Sequence, residues 1–235
     1  MSLIQTVIDN YSEPLDEKAA KKLEIIAEHL KSENRKYNLT ALKDDTDIAL
    51  LHIVDCLNLV KHVDMANMRV IDIGCGGGFP TLVIAAAVPT ARVCGMDSTA
   101  KKLGFVAECG TLASLDNLTV KHARAEELTA DERESYDIAV SRGVSRLCML
   151  AELCLPYVKV GGLFVAMKAA TAAEELAECD IALKKLGGKY IETIATPVGT
   201  SGESHCLVVI GKTSPTPSKY PRKYAQIKAS PLKNG

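Results

Sequence analysis

The sequence has no apolar run long enough to cross a bilayer. Its longest, Leu82 to Val88, falls far short of the ~20 residues a spanning helix needs. Nor does a basic stretch followed by an apolar core occur within Met1–Asp16, so no secretory signal peptide is expected. Eight cysteines stand at 56, 75, 94, 109, 148, 154, 179 and 206, and no two form a CxxC pair. That spacing excludes a zinc ribbon and a thioredoxin-like redox motif. HxxxH pairs and carboxylate clusters are also missing, so no metal site is expected. The cysteines lie in or near apolar runs such as ARVCGM and HCLVVI, which reads as reduced core residues of a cytoplasmic protein. Aromatic residues are scarce, with three Phe, seven Tyr and no Trp. What is present, 47% hydrophobic and 24% charged residues over 235 positions, rules out wholesale disorder and suits one α/β domain with a small appendage.

Charge is balanced overall but not along the chain. Residues 211–235 carry Lys212, Lys219, Arg222, Lys223, Lys228 and Lys233 with no acid, leaving 22 basic and 29 acidic groups on the rest. Four of the nine prolines fall in the same stretch. A basic, proline-rich end fits an arm that grips a polyanion; composition alone fits a solvated tail equally well.

Leu15, Ala19, Leu23, Ile26 and Leu30 recur every three or four residues, which predicts an amphipathic helix ended by the polar stretch Glu33 to Asn38. A second helix is expected from Thr46 to His62. These form an N-terminal cap over residues 1–65. From Arg69 the pattern alternates. Strands are predicted at Arg69–Ile73, Ala91–Asp97, Leu118–His122, Tyr136–Ser141, Gly162–Lys168, Tyr190–Pro197 and Cys206–Lys212, with helices near 80–88, 99–114, 146–157 and 172–186. Such alternation calls for a mostly parallel sheet with helices on both faces over residues 66–213. The last two strands are separated only by a loop around Gly199–Glu203, so the sheet should end in an antiparallel pair. Residues 214–235 form the basic tail. No sustained heptad pattern is present, and a monomer is expected.

The segment Asp72-Ile73-Gly74-Cys75-Gly76-Gly77-Gly78-Phe79-Pro80 runs from an apolar strand into a glycine turn. A dinucleotide fingerprint requires GxGxxG, and counted from Gly74 its third glycine position is Phe79. The pattern present, D-x-G-x-G-x-G, resembles motif I of class I S-adenosylmethionine-dependent methyltransferases and nominates Gly74, Gly76 and Gly78 for the cofactor. Asp97 closes the second strand, where an acid can accept hydrogen bonds from ribose hydroxyls. An NAD-binding domain would use that acid equally well. Arg124-Ala125-Glu126 and Ser141-Arg142-Gly143 follow the third and fourth strands, and the carboxyl ends of parallel strands face one crevice. Backbone at Ala125 and Glu126 can hold an adenine edge there, and Arg142 can pair with a carboxylate.

Further blocks occur in a fixed order around these: Asn38-Leu39-Thr40, His52-Ile53-Val54-Asp55, Lys101-Lys102, Lys168 and Lys219-Tyr220-Pro221-Arg222-Lys223. With the DIGCGGGFP turn they resemble the RsmG (GidB) family of bacterial small-subunit rRNA methyltransferases, from about Tyr37 to Leu232. The resemblance implies a class I S-adenosylmethionine-dependent methyltransferase fold (a Rossmann-like α/β sheet) with an N-terminal helical extension. It implies methylation of N7 of one guanine in 16S rRNA, with the rRNA or small ribosomal subunit as partner. By position, Gly74, Phe79, Ala125, Glu126 and Arg142 would contact the cofactor, with Asp97 at the ribose. Cys56 stands where the family usually has Ser, Gly143 where many members have Ala, and His205 where an Arg is common.

Guanine N7 carries a lone pair and no proton, so its methylation requires no general base. The sequence also lacks the [DN]PP[YF] loop of amino-methylating enzymes and any Pro-Cys pair. No proton-transfer residue is therefore nominated. His52 and Asp55 share a helix face. They either line the substrate side of the pocket with Asn38 or hold the cap on the domain. Lys168 either faces the pocket or caps the sheet edge. Lys219, Arg222 and Lys223 are candidates for phosphate contacts, extended by Lys101 and Lys102, while Tyr220 and Tyr224 are candidates for base stacking. A small-molecule methyltransferase and an RNA-binding protein with a vestigial pocket are the alternative readings.

Overall fold

The computed structural model describes residues 2–37, 39–42, 44–169, 171–198 and 205–234. Side chains in the central strands alternate between two apolar faces, as the two-residue period of a pleated strand demands, while the edge strands are largely exposed. The strands are β1 (Arg69–Ile73), β2 (Arg92–Asp97), β3 (Leu118–His122), β4 (Tyr136–Arg142), β5 (Val158–Lys168), β6 (Gly188–Ala195) and β7 (Cys206–Lys212). They form one sheet in the order β3-β2-β1-β4-β5-β7-β6. β1 to β5 pair in parallel, and β7 lies antiparallel between β5 and β6.

The helices are α1 (Leu3–Asn10), α2 (Glu17–Tyr37), α3 (Asp45–Asp47), α4 (Asp55–His62), α5 (Thr81–Ala87), α6 (Ala100–Leu112), α7 (Leu147–Cys154), α8 (Ala172–Ala177), α9 (Asp180–Leu186) and α10 (Tyr224–Ala229). On one sheet face Val70, Val93, Ile138, Val140, Val165 and Val209 pack under α5, α6 and the N-terminal helices. The same apolar cluster takes in Val7, Leu23, Ile26, Leu30, Ile53 and Leu57, so the cap and the sheet share one core. On the other face Ile71, Ile73, Ala139, Phe164, Val208 and Ile210 pack with α7, α9 and Tyr157. Among the described residues no helix is long and apolar enough to cross a membrane.

Several elements depart from the sequence pattern for identifiable reasons. α2 continues through the polar stretch to Tyr37 because its polar groups find partners: the Asn34 amide donates to the carbonyls of Thr40 (3.0 Å) and Leu42 (3.3 Å). The second helix is irregular, with a π-helical stretch (Ile48–Val54) between α3 and α4. The helix expected over 146–157 ends at Cys154 and tightens into a 3₁₀ turn, Leu155–Tyr157, at Pro156. The helix expected over 172–186 is split. Asn234 inserts at the break, donating from Nδ2 to the Ala177 carbonyl (2.7 Å) and accepting at Oδ1 from the Ile181 amide (3.0 Å). β5 starts four residues early, at Val158, with a register shift against β4 between Tyr136 and Ile138. The loop expected around Gly199–Glu203 lies outside the described residues.

The largest departure is the C-terminal stretch, which is docked rather than free. Lys212 is buried, donating to the Leu155 carbonyl at 2.7 Å and pairing with Glu134 at 3.1 Å. Arg222 forms a two-pronged pair with the fully buried carboxylate of Glu152, Nε to Oε1 at 2.7 Å and Nη2 to Oε2 at 2.6 Å. The Tyr220 ring and Ile227 join the apolar core on the α7 face. Of the six cations in residues 211–235, Lys212 at the end of β7 and Arg222 in the tail thus pair with acids of the domain.

Removing Arg222 would leave a buried carboxylate without its cation, a change that costs about 3 kcal/mol. Arg222→Ala should therefore lower the denaturation midpoint strongly. Lys223→Ala, at an exposed neighbour, should stay within about 0.5 kcal/mol of the parent. Equal, small effects in denaturant titrations would contradict the docked tail.

Candidate active site

The turn that leaves β1 is held against the end of β2. The amides of Gly74 and Cys75 both donate to the Met96 carbonyl, at 2.8 and 2.9 Å, and the Gly78 amide closes the turn onto the Cys75 carbonyl at 2.8 Å. Gly74 has φ +77°, and a Cβ there would lie 2.6 Å from Val144. Gly78 (φ +90°) faces the other way: a Cβ on it would strike Leu82 of α5 at 2.6 Å. Gly78 packs the turn closely on the helix and does not border the cavity that opens beside Asp97. Beneath the turn Asp72 is fully buried and accepts from the Thr81 hydroxyl at 2.6 Å, and burial raises its pKa to about 6.

Asp97 sits at the end of β2, as its place in the sequence requires. One carboxylate oxygen accepts from the Gly76 amide (2.9 Å) and the other from the Thr99 amide (2.8 Å). It thereby steadies the glycine turn while keeping further lone pairs for a ligand. A cavity of about 640 Å³ opens here, bordered by Gly74, Gly76, Phe79, Asp97, Ala125, Glu126 and Arg142. A Cβ on Gly76 would meet nothing nearer than the Gly74 carbonyl at 4.0 Å, so that part of the turn presents bare backbone to open space. Volume, glycine backbone and an acceptor carboxylate together suit a nucleoside-bearing cofactor.

The cap supplies another part of the wall. His52, in the π-helical stretch, stacks on Phe79 with ring centroids 4.6 Å apart and an interplanar angle of 13°. Arg142, at the end of β4, donates from Nη1 to the Leu51 carbonyl (2.8 Å) and to Asp55 Oδ2 (3.2 Å), and from Nη2 to His52 Nδ1 (2.9 Å). Because the guanidinium can only donate, His52 Nδ1 must accept, and Nε2 carries the proton donated to the Thr40 hydroxyl at 2.8 Å. Burial, then the Arg142 charge, lowers the His52 pKa to about 4. Asp55 is buried and also pairs with His205 Nδ1 at 2.9 Å. His205, where an Arg is common in the resembling family, is thus within the same network.

Residues 19–199 match the model of the GidB family, rRNA small subunit methyltransferase G. The chain belongs to this family. It is 42% identical to the ribosomal RNA small subunit methyltransferase G of Deinococcus radiodurans, over 83% of this chain and 78% of that one. It is 39% identical to the Clostridium tetani protein of the same name over 85% of each, and 35% identical to that of Clostridium perfringens over 98% of each. Among solved structures it resembles an S-adenosylmethionine-dependent O-methyltransferase of Thermotoga maritima, with TM-score 0.56 and 17% identity over 80% of this chain and 73% of that one. It also resembles M. jannaschii TYW2 in complex with AdoMet, with TM-score 0.53 and 16% identity over 67% and 76%. The fold is that of the class I S-adenosylmethionine-dependent methyltransferases.

Within this GidB-family chain the remaining expected site residues are dispersed. Asn38 lies outside the described residues. Arg142 borders the cavity, but three of its hydrogen bonds run into the cap rather than awaiting a ligand carboxylate. Lys168 does not border the cavity: its buried ammonium donates to the Ser145 carbonyl (2.8 Å) and pairs with Glu175 (2.7 Å). Glu175 in turn accepts from the Leu147 amide at 2.6 Å, so Lys168 fixes the start of α7 instead of touching substrate. Tyr220 is in the core and cannot stack on a base, and Arg222 is committed to Glu152. Lys219 and Lys223 are exposed, and Lys102 borders the cavity. Thr40, Leu153 and Tyr224 also border it. No local spacing signal marks Leu153 or Tyr224 as cavity residues, since tertiary docking brings them there.

A histidine whose folded pKa is lowered binds fewer protons when folded, so its contribution to stability is full above pH 6.5 and falls as pH drops towards 4. His52→Gln should remove this component, flattening the loss by about 1–2 kcal/mol after discounting for the ring's partial exposure. Denaturant midpoints of parent and variant across pH 7 to 4 check it, and parallel pH profiles would reject it.

Proposed function

We propose that this chain transfers the methyl group of S-adenosylmethionine to N7 of a guanine in 16S rRNA. The observation that carries the reading is the meeting of the glycine turn and the Asp97 carboxylate on one cavity, within a fold of this methyltransferase class. The cofactor supplies a methyl group activated on a positively charged sulfur. Gly76 leaves room for close approach of the backbone, Gly74 lets Val144 pack against the turn, Asp97 would offer acceptors to ribose hydroxyls, and Ala125 and Glu126 would border the base. Phe79 and His52 present a stacked aromatic wall to part of the pocket.

The electrostatics suit an acceptor that needs no deprotonation. His52, a titratable side chain in this wall, is neutral near pH 7 and has both ring nitrogens engaged, with Nδ1 accepting from Arg142 and Nε2 donating to Thr40. It is unavailable as a base. Methylation of guanine N7 loses nothing by this, because the lone pair is already exposed and catalysis rests on alignment. Lys102 at the cavity and exposed Lys219 and Lys223 suit phosphate contacts from the RNA. We take the chain to work as a monomer in the cytoplasm, where small subunits are found.

Labelled methyl transfer to small subunits from a strain lacking this protein should yield a single 7-methylguanosine on nucleoside analysis; a different methylated nucleoside would reject the acceptor. Asp97→Asn should weaken S-adenosylmethionine binding about ten-fold or more in calorimetry, the loss of a charge-assisted acceptor.

A further inference from the structure

The docked C-terminal segment ends its approach at the cavity. Glu152 on α7 is fully buried and accepts three bonds from Arg222: the two guanidinium contacts and the backbone amide at 3.0 Å. Ile227, also fully buried, anchors α10 on the same core face. Tyr224, the first residue of α10 and two positions beyond Arg222, is thereby set at the cavity with its ring partly exposed. Leu153, the residue after Glu152, borders the cavity as well. Tyr157, one turn further on, donates its hydroxyl to the Ala125 carbonyl at 3.0 Å. One stretch of chain, Glu152 to Tyr157, therefore holds the tail and the Ala125 backbone together.

We propose that Tyr224 is a cofactor-binding residue whose ring covers the adenine end of S-adenosylmethionine. The inference rests on the cofactor reading above. Ala125 and Glu126 offer polar backbone to the edge of a purine, while Leu153 and the Tyr224 ring offer the apolar and π surfaces its faces require. The tail that reads in sequence as an RNA arm serves, at this residue, the small-molecule pocket. Its salt bridge to Glu152 makes the ring's position independent of RNA.

The chain contains no tryptophan, so Tyr224→Trp provides a single emission probe at this point. Its fluorescence should change on adding S-adenosylmethionine or adenosine and not on adding methionine. Tyr224→Ala should raise the Kd for S-adenosylmethionine about ten-fold with an unchanged denaturation midpoint, and Tyr224→Phe should restore most of the affinity because the ring, not the hydroxyl, makes the contact. An unaltered Kd in Tyr224→Ala, or emission that responds to an RNA oligonucleotide but not to adenosine, would overturn the proposal. Asp97→Asn separates the two levels. If it weakens binding while Tyr224→Ala does not, only the role of Tyr224 fails; if neither variant weakens binding, the cofactor's placement fails with it.

Discussion

The Arg142 guanidinium is the joint on which the arrangement depends. It projects from the end of a central strand, yet its described hydrogen bonds all go to the helical cap: the Leu51 carbonyl, His52 and Asp55. An arginine can be buried in this way only if its donors are met, and the π-helical stretch helps to meet them. π-Helical turns are uncommon and tend to occur at functional sites. The cap is consequently part of the pocket, because the same joint presses His52 onto Phe79 and fixes the tautomer of the ring. Burial keeps His52 neutral, and the Arg142 charge in this joint reinforces it.

A second pattern concerns where opposite charges are spent. The basic stretch from Lys212 onward is conspicuous in the sequence, but its partners Glu134 and Glu152 are inconspicuous acids elsewhere in the chain. Lys168 and Glu175 repeat the theme, a buried pair that positions the loop after β4 and the start of α7. Three such pairs tie elements of the fold together, whereas the exposed lysines are left for solvent or RNA. Composition counts charge without regard to burial, and burial decides which charge meets a partner outside the protein.

This contrast explains what was legible in the sequence. The strands, their mostly parallel pairing and the antiparallel last pair follow from apolar strand segments and from the helices between them, while the strand order emerges only from the structure. The glycine turn and Asp97 follow from strand-end placement. Those signals are local. The continuation of α2 past Glu33 depends on Asn34 finding carbonyls six and eight residues away, and the split between α8 and α9 depends on Asn234. The burial of Tyr220 and the placement of Tyr224 depend on Glu152, some seventy residues distant. Gly78 is instructive in another way: its place in the motif is the one expected, but its missing side chain makes room for Leu82.

The strand order also constrains how such a chain is made. β7 lies between β5 and β6, so β6 has no neighbour in the sheet until the later strand arrives. During synthesis from the N-terminus, the β5 edge and the whole of β6 wait with unpaired backbone groups while residues up to Lys212 emerge. Completion of the sheet is thus a late, single insertion. The docking of the tail onto α7 follows it in the chain and seals the newly formed side of the molecule. A nascent chain stalled before β7 would expose a ready template for strand exchange with its neighbours.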